Sequence, residues 1–311
     1  MITIKGNIKG SATILTILMA SVIITVGLGF NWMVKEHLNA SEGLKRKAEA
    51  MLKARSAYDS IIYLLLTGQT LRREMAVSVD KEISEIGSLP LNGQMIPWIK
   101  DELVVRIQES NGLLSLVNVN TGALQRLLKM KGGLDDTSAS GIINSFLDWT
   151  DPDNLVRVNG AEAFYYKGEG KPYTPRNYAV QFKEEMEWIK GMGRPLFQKI
   201  ATQITTLPVT GFNPNTADDD VLTAYLDLTP ETLQVLKDSM AQKPVSSDAE
   251  LFALTGRKIS TQSEGIFFFP SPFLEVTVRV GQPRGLFAIR AGLDIRQDLY
   301  FPYRILYWVE E

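Results

Sequence analysis

The stretch from Ser11 to Val34 runs for 24 residues without a charge, between Lys9 and Lys35. As a helix it would be about 36 Å long, enough to cross a hydrocarbon layer of about 30 Å. A secretory signal that is cut away carries an apolar run of only about 7–15 residues followed by a small-residue cleavage site, so this stretch is too long to be one. No helix breaker stands behind it either. Between Lys35 and Leu66 there is no proline and a single glycine, Gly43, while Leu44, Ala48, Met51, Leu52, Tyr58, Ile61, Ile62 and Leu65 recur in helical steps. The prediction is one rod from about Ser11 to Leu66, its first half in a membrane and its second half with an apolar face to bury. Lys5 and Lys9 precede the span, which favours a cytoplasmic N-terminus with everything after Lys35 outside.

Beyond the rod the periodicity changes twice. Met75, Val77 and Val79 alternate with polar neighbours and predict a short strand. In "DELVVRIQESNGLLSLVNVN" (101–120), Leu103, Val105 and Ile107 alternate and Ser110-Asn111-Gly112 reads as a hairpin turn. From about Asn118 to Ile259 the pattern is helical, and several segments open with a Ser, Thr or Asp cap. Alternation then returns at Leu274, Val276, Val278 and Val280, at Phe287, Ile289, Ala291, Leu293 and Ile295, and in "YRILYWVE" (303–310). Strands on both sides of a helical block most simply join one antiparallel sheet with the block inserted into it. The expected fold class is α+β: a long N-terminal membrane-spanning helix packed on an antiparallel sheet, with a large inserted all-helical domain.

Composition closes off much chemistry. The chain has no cysteine and a single histidine, His37, which excludes disulfides, thiolate nucleophiles and His-rich metal sites. A net charge of −2 gives no bulk attraction for nucleic acid. Two similar strings, "NVNTGALQRLL" (118–128) and "NPNTADDDVLTAYL" (213–226), each place Asn-x-Asn-Thr before a helix. Capping of the first turn accounts for both. A phosphate-binding helical hairpin is disfavoured by Asp135 and Asp136 beside the glycines of "KGGLDDTSASG". "FFFPSPF" (267–273) is the most exposed-looking apolar run, read as core packing first and partner contact second.

The richest segment is "SFLDWTDPDNLVRVNGAEAFYY" (145–166), where Asp148, Asp151, Asp153 and Glu162 gather around a proline turn and Asn154 adds an amide oxygen. Set on an EF-hand, Asp151, Asp153 and Glu162 fall on ligand positions, but Leu155 and Val156 occupy a ligand position and the obligatory glycine. An irregular calcium loop stays open, because a hard cation asks only for converging oxygens. So does a solvated acidic turn with Asp148 capping a helix or pairing with an arginine. Carboxylate catalysis on Asp148, Asp151 or Glu162 is the remaining reading, with Trp149, Tyr165 and Tyr166 as a weak sugar platform.

The start "KG-SATILTIL" resembles the signal of type IV pilins and pseudopilins, whose prepilin peptidase cuts after the glycine; here the cut falls between Gly10 and Ser11. Most members carry glutamate five residues on, where this chain has Leu15. One pseudopilin class lacks that glutamate. Together with "QESNGLLSLVNVNTGALQRLL", "LDWTDPDN…NGAEAFYY…KPYTPRN", "FNPNTADDDVL" and the closing "YRILYWVE", the chain resembles the K-type minor pseudopilin of the type II secretion system along nearly its whole length. The resemblance implies a pseudopilin fold divided into a cleaved leader (1–10), a membrane part (11–34), a first pseudopilin part (35–117), an inserted helical domain (118–263) and closing strands (264–311). It implies a non-enzymatic subunit of the bacterial inner membrane, single pass, with a periplasmic head and a methylated mature N-terminus. Such a subunit sits at the pseudopilus tip and initiates assembly for export across the outer membrane. The partners implied are I-type and J-type minor pseudopilins, prepilin peptidase, the inner-membrane secretion platform and secreted cargo, with no nucleic acid. Calcium is the implied cofactor, with Asp151, Asp153 and Glu162 as ligand candidates and Asp148 and Asn154 behind them. The glutamate of other pseudopilins offsets a neighbouring subunit's N-terminal charge in lipid; a tip subunit has no subunit above it to serve, which suits Leu15. A type IV pilus minor pilin for adhesion or DNA uptake is the alternative, and a membrane-anchored hydrolase a more distant one.

Overall fold

The computed structural model describes residues 11–71, 75–79, 87–99, 102–257, 265–281 and 285–311. They fall into two units divided between Lys53 and Ala54. Helix α1 (Ser11–Thr67) contributes to both, and its apolar N-terminal stretch is long enough to serve as a single membrane span. Leu44 and Leu52, expected on the rod's packing face, are exposed, and the face that is buried within the second unit is Ala54, Ala57, Tyr58, Ile61, Ile62, Leu64 and Leu65. Along that buried stretch the apolar residues follow the expected steps of three and four.

The second unit is mixed. After α1, β1 (Gln69–Leu71), β2 (Ala76–Ser78) and β3 (Ser88–Pro90) form a small antiparallel sheet. Next come β4 (Asn92–Ile99) and β5 (Leu103–Glu109), and β5 does not make the expected hairpin. Ser110–Gly112 is a 3-10 turn that sends the chain into β6 (Leu114–Ser115), out of the sheet, instead of back along β5. The cause is the Glu109 carboxylate, which accepts the Asn111 amide at 2.9 Å and closes the turn on itself.

The helical segment follows: α2 (Thr121–Gly132), α3 (Asp136–Thr150), α4 (Ala163–Gly168), α5 (Gly193–Ile200), β7 (Ile204–Thr205), β8 (Gly211–Phe212), α6 (Asp219–Leu226), α7 (Pro230–Gln242) and α8 (Asp248–Thr255). Side-chain caps start these helices as the sequence predicts: Asn120 takes the Ala123 amide, Asp135 that of Ser138, Asp218 that of Val221 and Ser247 that of Glu250. Gly133 and Gly256 end α2 and α8 in the left-handed conformation that favours glycine. The segment has an apolar core of its own, including Leu124, Leu127, Phe146, Trp149, Ile200, Phe212 and Leu236, all fully buried. Each such side chain contributes on the order of 1.5–3 kcal/mol of burial.

The chain then returns through β9 (Gly265–Ile266), β10 (Phe273–Val280), β11 (Phe287–Asp294) and β12 (Arg304–Glu310). Among the described residues β10, β11 and β12 complete an antiparallel sheet of five strands in the order β12-β11-β10-β5-β4, while β9 pairs with β8. β10 pairs directly with β5, Leu274 opposite Glu109 and Val280 opposite Leu103, so the whole helical segment is inserted between two neighbouring strands. Leu103, Val105, Ile107, Leu274, Val276, Val278, Ile289, Ala291 and Leu293 are all buried, as their alternation predicts. On the last strand Trp308 meets Tyr58 edge-on at 4.8 Å, and Glu310 pairs with Arg55 at 3.0 Å.

Glu109 is also the joint between sheet and insert. Its Oε2 accepts the backbone amides of Asn111 and Ser271, each at 2.9 Å, and its Oε1 accepts Asn213 Nδ2 at 3.1 Å and the Thr216 hydroxyl. The second Asn-x-Asn-Thr string therefore does not cap its helix. Asn213 and Thr216 bind Glu109, Asn215 brackets the backbone of Val245, and Asp218 takes over the cap.

Candidate metal centre

Helix α3 delivers the acidic turn. Its inward face of Ala139, Ile142, Ile143, Phe146 and Trp149 fixes its rotation, and Pro152 stops it just after Asp151, whose amide still bonds Leu147 at 2.9 Å. Asp153 then makes a local turn by accepting the Leu155 amide at 2.8 Å. Glu162 is the N-cap residue of α4, yet its side chain makes no capping bond.

Asp151, Asp153 and Glu162 each offer a carboxylate oxygen, and these oxygens lie within 4.8 Å of one another. Glu162 is only 4% exposed, and neither of its oxygens has a hydrogen-bond partner; Asp151 Oδ1 is buried and unpartnered too. Orphaned anionic oxygens in a protein interior are costly. Burial, reinforced by the Asp148 and Asp151 charges, raises the Glu162 pKa above its ordinary range. Converging carboxylates with neither thiolate nor imidazole beside them suit a hard cation of the calcium type, which takes six to eight oxygens at about 2.3–2.6 Å. The residues therefore fit that group.

Asp148 stands behind the cluster and is already engaged. It is fully buried, and it accepts the Arg157 backbone amide and Arg157 Nη1, the latter at 2.8 Å. The same Nη1 reaches Asp151 Oδ2. Asn154 lies exposed on the turn. Gly160 has a steric role that spacing did not announce: a Cβ there would run into Asp148 Oδ2 and come within 3.0 Å of its Cγ.

A further layer holds the turn. Asn177 donates from its backbone to the Trp149 carbonyl at 3.0 Å and from Nδ2 to the Asp153 carbonyl at 3.2 Å. Arg176 grips Glu185 through two bonds of 2.7 and 2.8 Å, and Lys190 Nζ donates to the Asn159 and Gly160 carbonyls. Trp149 packs edge-on against Tyr166, whose hydroxyl accepts the Lys190 amide; burial pushes that phenol up to about 12. The aromatics expected as a sugar platform are therefore, in the case of Trp149 and Tyr166, buried wall.

Residues 107–209, which contain Glu109, the acidic turn and the Arg176–Glu185 clasp, match the family model for type II secretion system protein K. That segment is similar to protein K of the type II secretion system. A protein K of Pectobacterium carotovorum subsp. carotovorum is 28% identical over 133 residues, 42% of this chain and 40% of that protein. A protein K relative from Escherichia coli strain K12 is 27% identical over 88 residues, 28% of this chain and 27% of that protein. The aligned stretches thus span well under half of either curated relative. A chain from the crystal structure of the GspK-GspI-GspJ complex of the enterotoxigenic Escherichia coli type 2 secretion system has the same fold. It is 16% identical, with a TM-score of 0.52, covering 89% of this chain and 99% of that one. The K-type minor pseudopilin fold, with its long N-terminal helix, antiparallel sheet and helical insert, is the fold of this chain. The expected cleavage bond meets the structure on one side only: Ser11 is the first residue of α1, and Gly10 lies outside the described residues.

Proposed function

We propose that the chain is a K-type minor pseudopilin, a non-enzymatic tip subunit that starts pseudopilus assembly for protein export across the outer membrane. The match of residues 107–209 to the protein K family carries the reading, and the apolar start of α1 supports an anchor in the inner membrane. In this reading prepilin peptidase cuts between Gly10 and Ser11, the new N-terminus is methylated and stays cytoplasmic, and the head lies in the periplasm. I-type and J-type minor pseudopilins are its partners, since the similar chain comes from a complex of GspK, GspI and GspJ. The secretion platform and exported cargo are its further contacts. Asp151, Asp153 and Glu162 hold a calcium ion that neutralises the acidic turn and rigidifies the insert.

Co-expression with prepilin peptidase and the I- and J-type subunits tests the assignment. A mature chain beginning at Ser11 that co-purifies with both subunits is expected. An uncut chain that leaves both behind would sink it.

A further inference from the structure

We propose that Arg157 is the acidic turn's own counter-ion, holding Asp151 when calcium is absent and competing with calcium for it. The inference rests on the calcium reading above and concerns what sets the affinity of that site. Two observations carry it. Arg157 cannot leave the turn, because its backbone amide and Nη1 are both bound to Asp148, a fully buried carboxylate whose surroundings leave no room for a Cβ on Gly160. Asp151, by contrast, is divided: its Oδ2 is bonded to Arg157 Nη1, while its Oδ1 is buried, unpartnered and part of a turn that also presents the orphaned oxygens of Glu162.

One guanidinium thus stands among four carboxylates, Asp148, Asp151, Asp153 and Glu162, and satisfies two of them. Guanidinium does not lose its proton in proteins, so it remains a fixed positive charge beside the position a divalent cation would take. Like charges at that range repel. Calcium binding then requires Asp151 to turn charge density from Arg157 to the metal. The Arg157 side chain is 39% exposed, so its tip can move towards solvent while the backbone stays on Asp148. The arrangement keeps the turn folded without metal, and it weakens the site in return. Lys190 is occupied with the Asn159 and Gly160 carbonyls and Arg176 with Glu185, so neither substitutes for it.

The test uses the full chain in detergent, stripped with chelator, and compares wild type with Arg157→Gln by calorimetric titration with calcium chloride and by melting curves. Glutamine keeps a neutral donor for Asp148 and removes the charge. Calcium affinity is expected to rise at least tenfold, while the metal-free melting temperature falls below wild type and calcium closes the gap. Unchanged or weakened affinity would make Arg157 a bystander or a scaffold for the ligands, and would overturn the proposal. Should Arg157→Gln fail to fold, Arg157→Lys, a point charge that can serve one carboxylate at a time, is expected to raise affinity at least threefold; no rise again overturns it. Wild type that shows neither binding heat nor a melting shift, with Asp153→Asn making no difference, removes the calcium reading itself. That outcome is distinct from a wild type that binds with Arg157 irrelevant.

Discussion

Replacing Glu109 by alanine should loosen the joint between the sheet and the helical insert more than any other single carboxylate change. Its side chain is the acceptor for two buried backbone amides, those of Asn111 and Ser271, and for Asn213 Nδ2 and the Thr216 hydroxyl. Without reorienting Asn213, its Nδ2 still meets Met75 Sδ at 3.9 Å and the Thr216 hydroxyl the Asn213 carbonyl at 3.4 Å, but the two amides are fixed by the 3-10 turn and the entry to β10. An unsatisfied buried donor costs about 1–3 kcal/mol, so alanine should cost about 2–6 kcal/mol. Glu109→Gln keeps an acceptor for both amides and removes a buried charge. It meets Asn213 with the wrong group, since Asn213 Oδ1 is held by the Asn215 amide at 3.1 Å and the side chain cannot flip freely. Its net cost should stay within about 2 kcal/mol. Despite its four donors, burial raises the Glu109 pKa above the ordinary 4.5. A carboxyl raised in the folded state contributes its stability in full below the unfolded value and loses it as pH climbs through the folded one. Wild type should therefore lose ground to Glu109→Gln as pH rises from 4.5, and the difference should level off above the folded pKa. Urea unfolding of a soluble form beginning at Lys35, followed across that pH range, measures both effects. Equal losses for alanine and glutamine, or an alanine loss below about 1 kcal/mol, would refute the hydrogen-bond account.

Other outcomes follow from the same reasoning. Glu162→Gln should raise metal-free stability at neutral pH, because it removes a buried charge whose raised pKa makes wild type lose stability as pH rises; the same change should abolish stabilisation by calcium, read as a melting shift with and without chelator. Gly160→Ala should cost about 1–3 kcal/mol by forcing the buried Asp148 aside, measured by urea unfolding. In the sheet, burial by itself would raise the Glu275 pKa, but Lys183 at 3.0 Å, the Tyr307 hydroxyl and Arg290 outweigh it and hold the carboxyl below its ordinary range. Glu275→Ala leaves Lys183, Arg290 and Arg106 facing one another and should cost about 3–5 kcal/mol, whereas Lys183→Met leaves Glu275 still paired and should cost clearly less. Comparable losses in the two variants would show that the cluster is not centred on Glu275.

Local pattern announced the elements here far better than their partners. The 24 uncharged residues from Ser11, the alternation of β5, β10 and β11, and the Ser, Thr, Asn and Asp caps of the insert were all legible, because each depends on residues within a turn or two. The helical face of α1 was legible where the second unit buries it, from Ala54 to Leu65, whereas Leu44 and Leu52 are exposed. The hairpin after Glu109 was misread because its turn residues fit, while the strand that pairs with β5 lies beyond the insert.

The acidic turn was visible as a composition of carboxylates, but their division of labour was not. Sequence spacing put Asp148, Asp151, Asp153 and Glu162 on one short loop. Only the packed structure set Asp148 against Arg157 and left Glu162 buried with no donor. The same holds for Glu109, an ordinary polar residue at a strand end until residues more than a hundred positions away bring their donors to it. What this sequence determined alone was an apolar helix, the helices and strands to follow it, and the kinds of atom able to bind a hard cation. Which carboxylates are neutralised by protein and which are left for a ligand is decided by long-range packing, since desolvation and charge pairing depend on neighbours that proximity in the chain does not reveal.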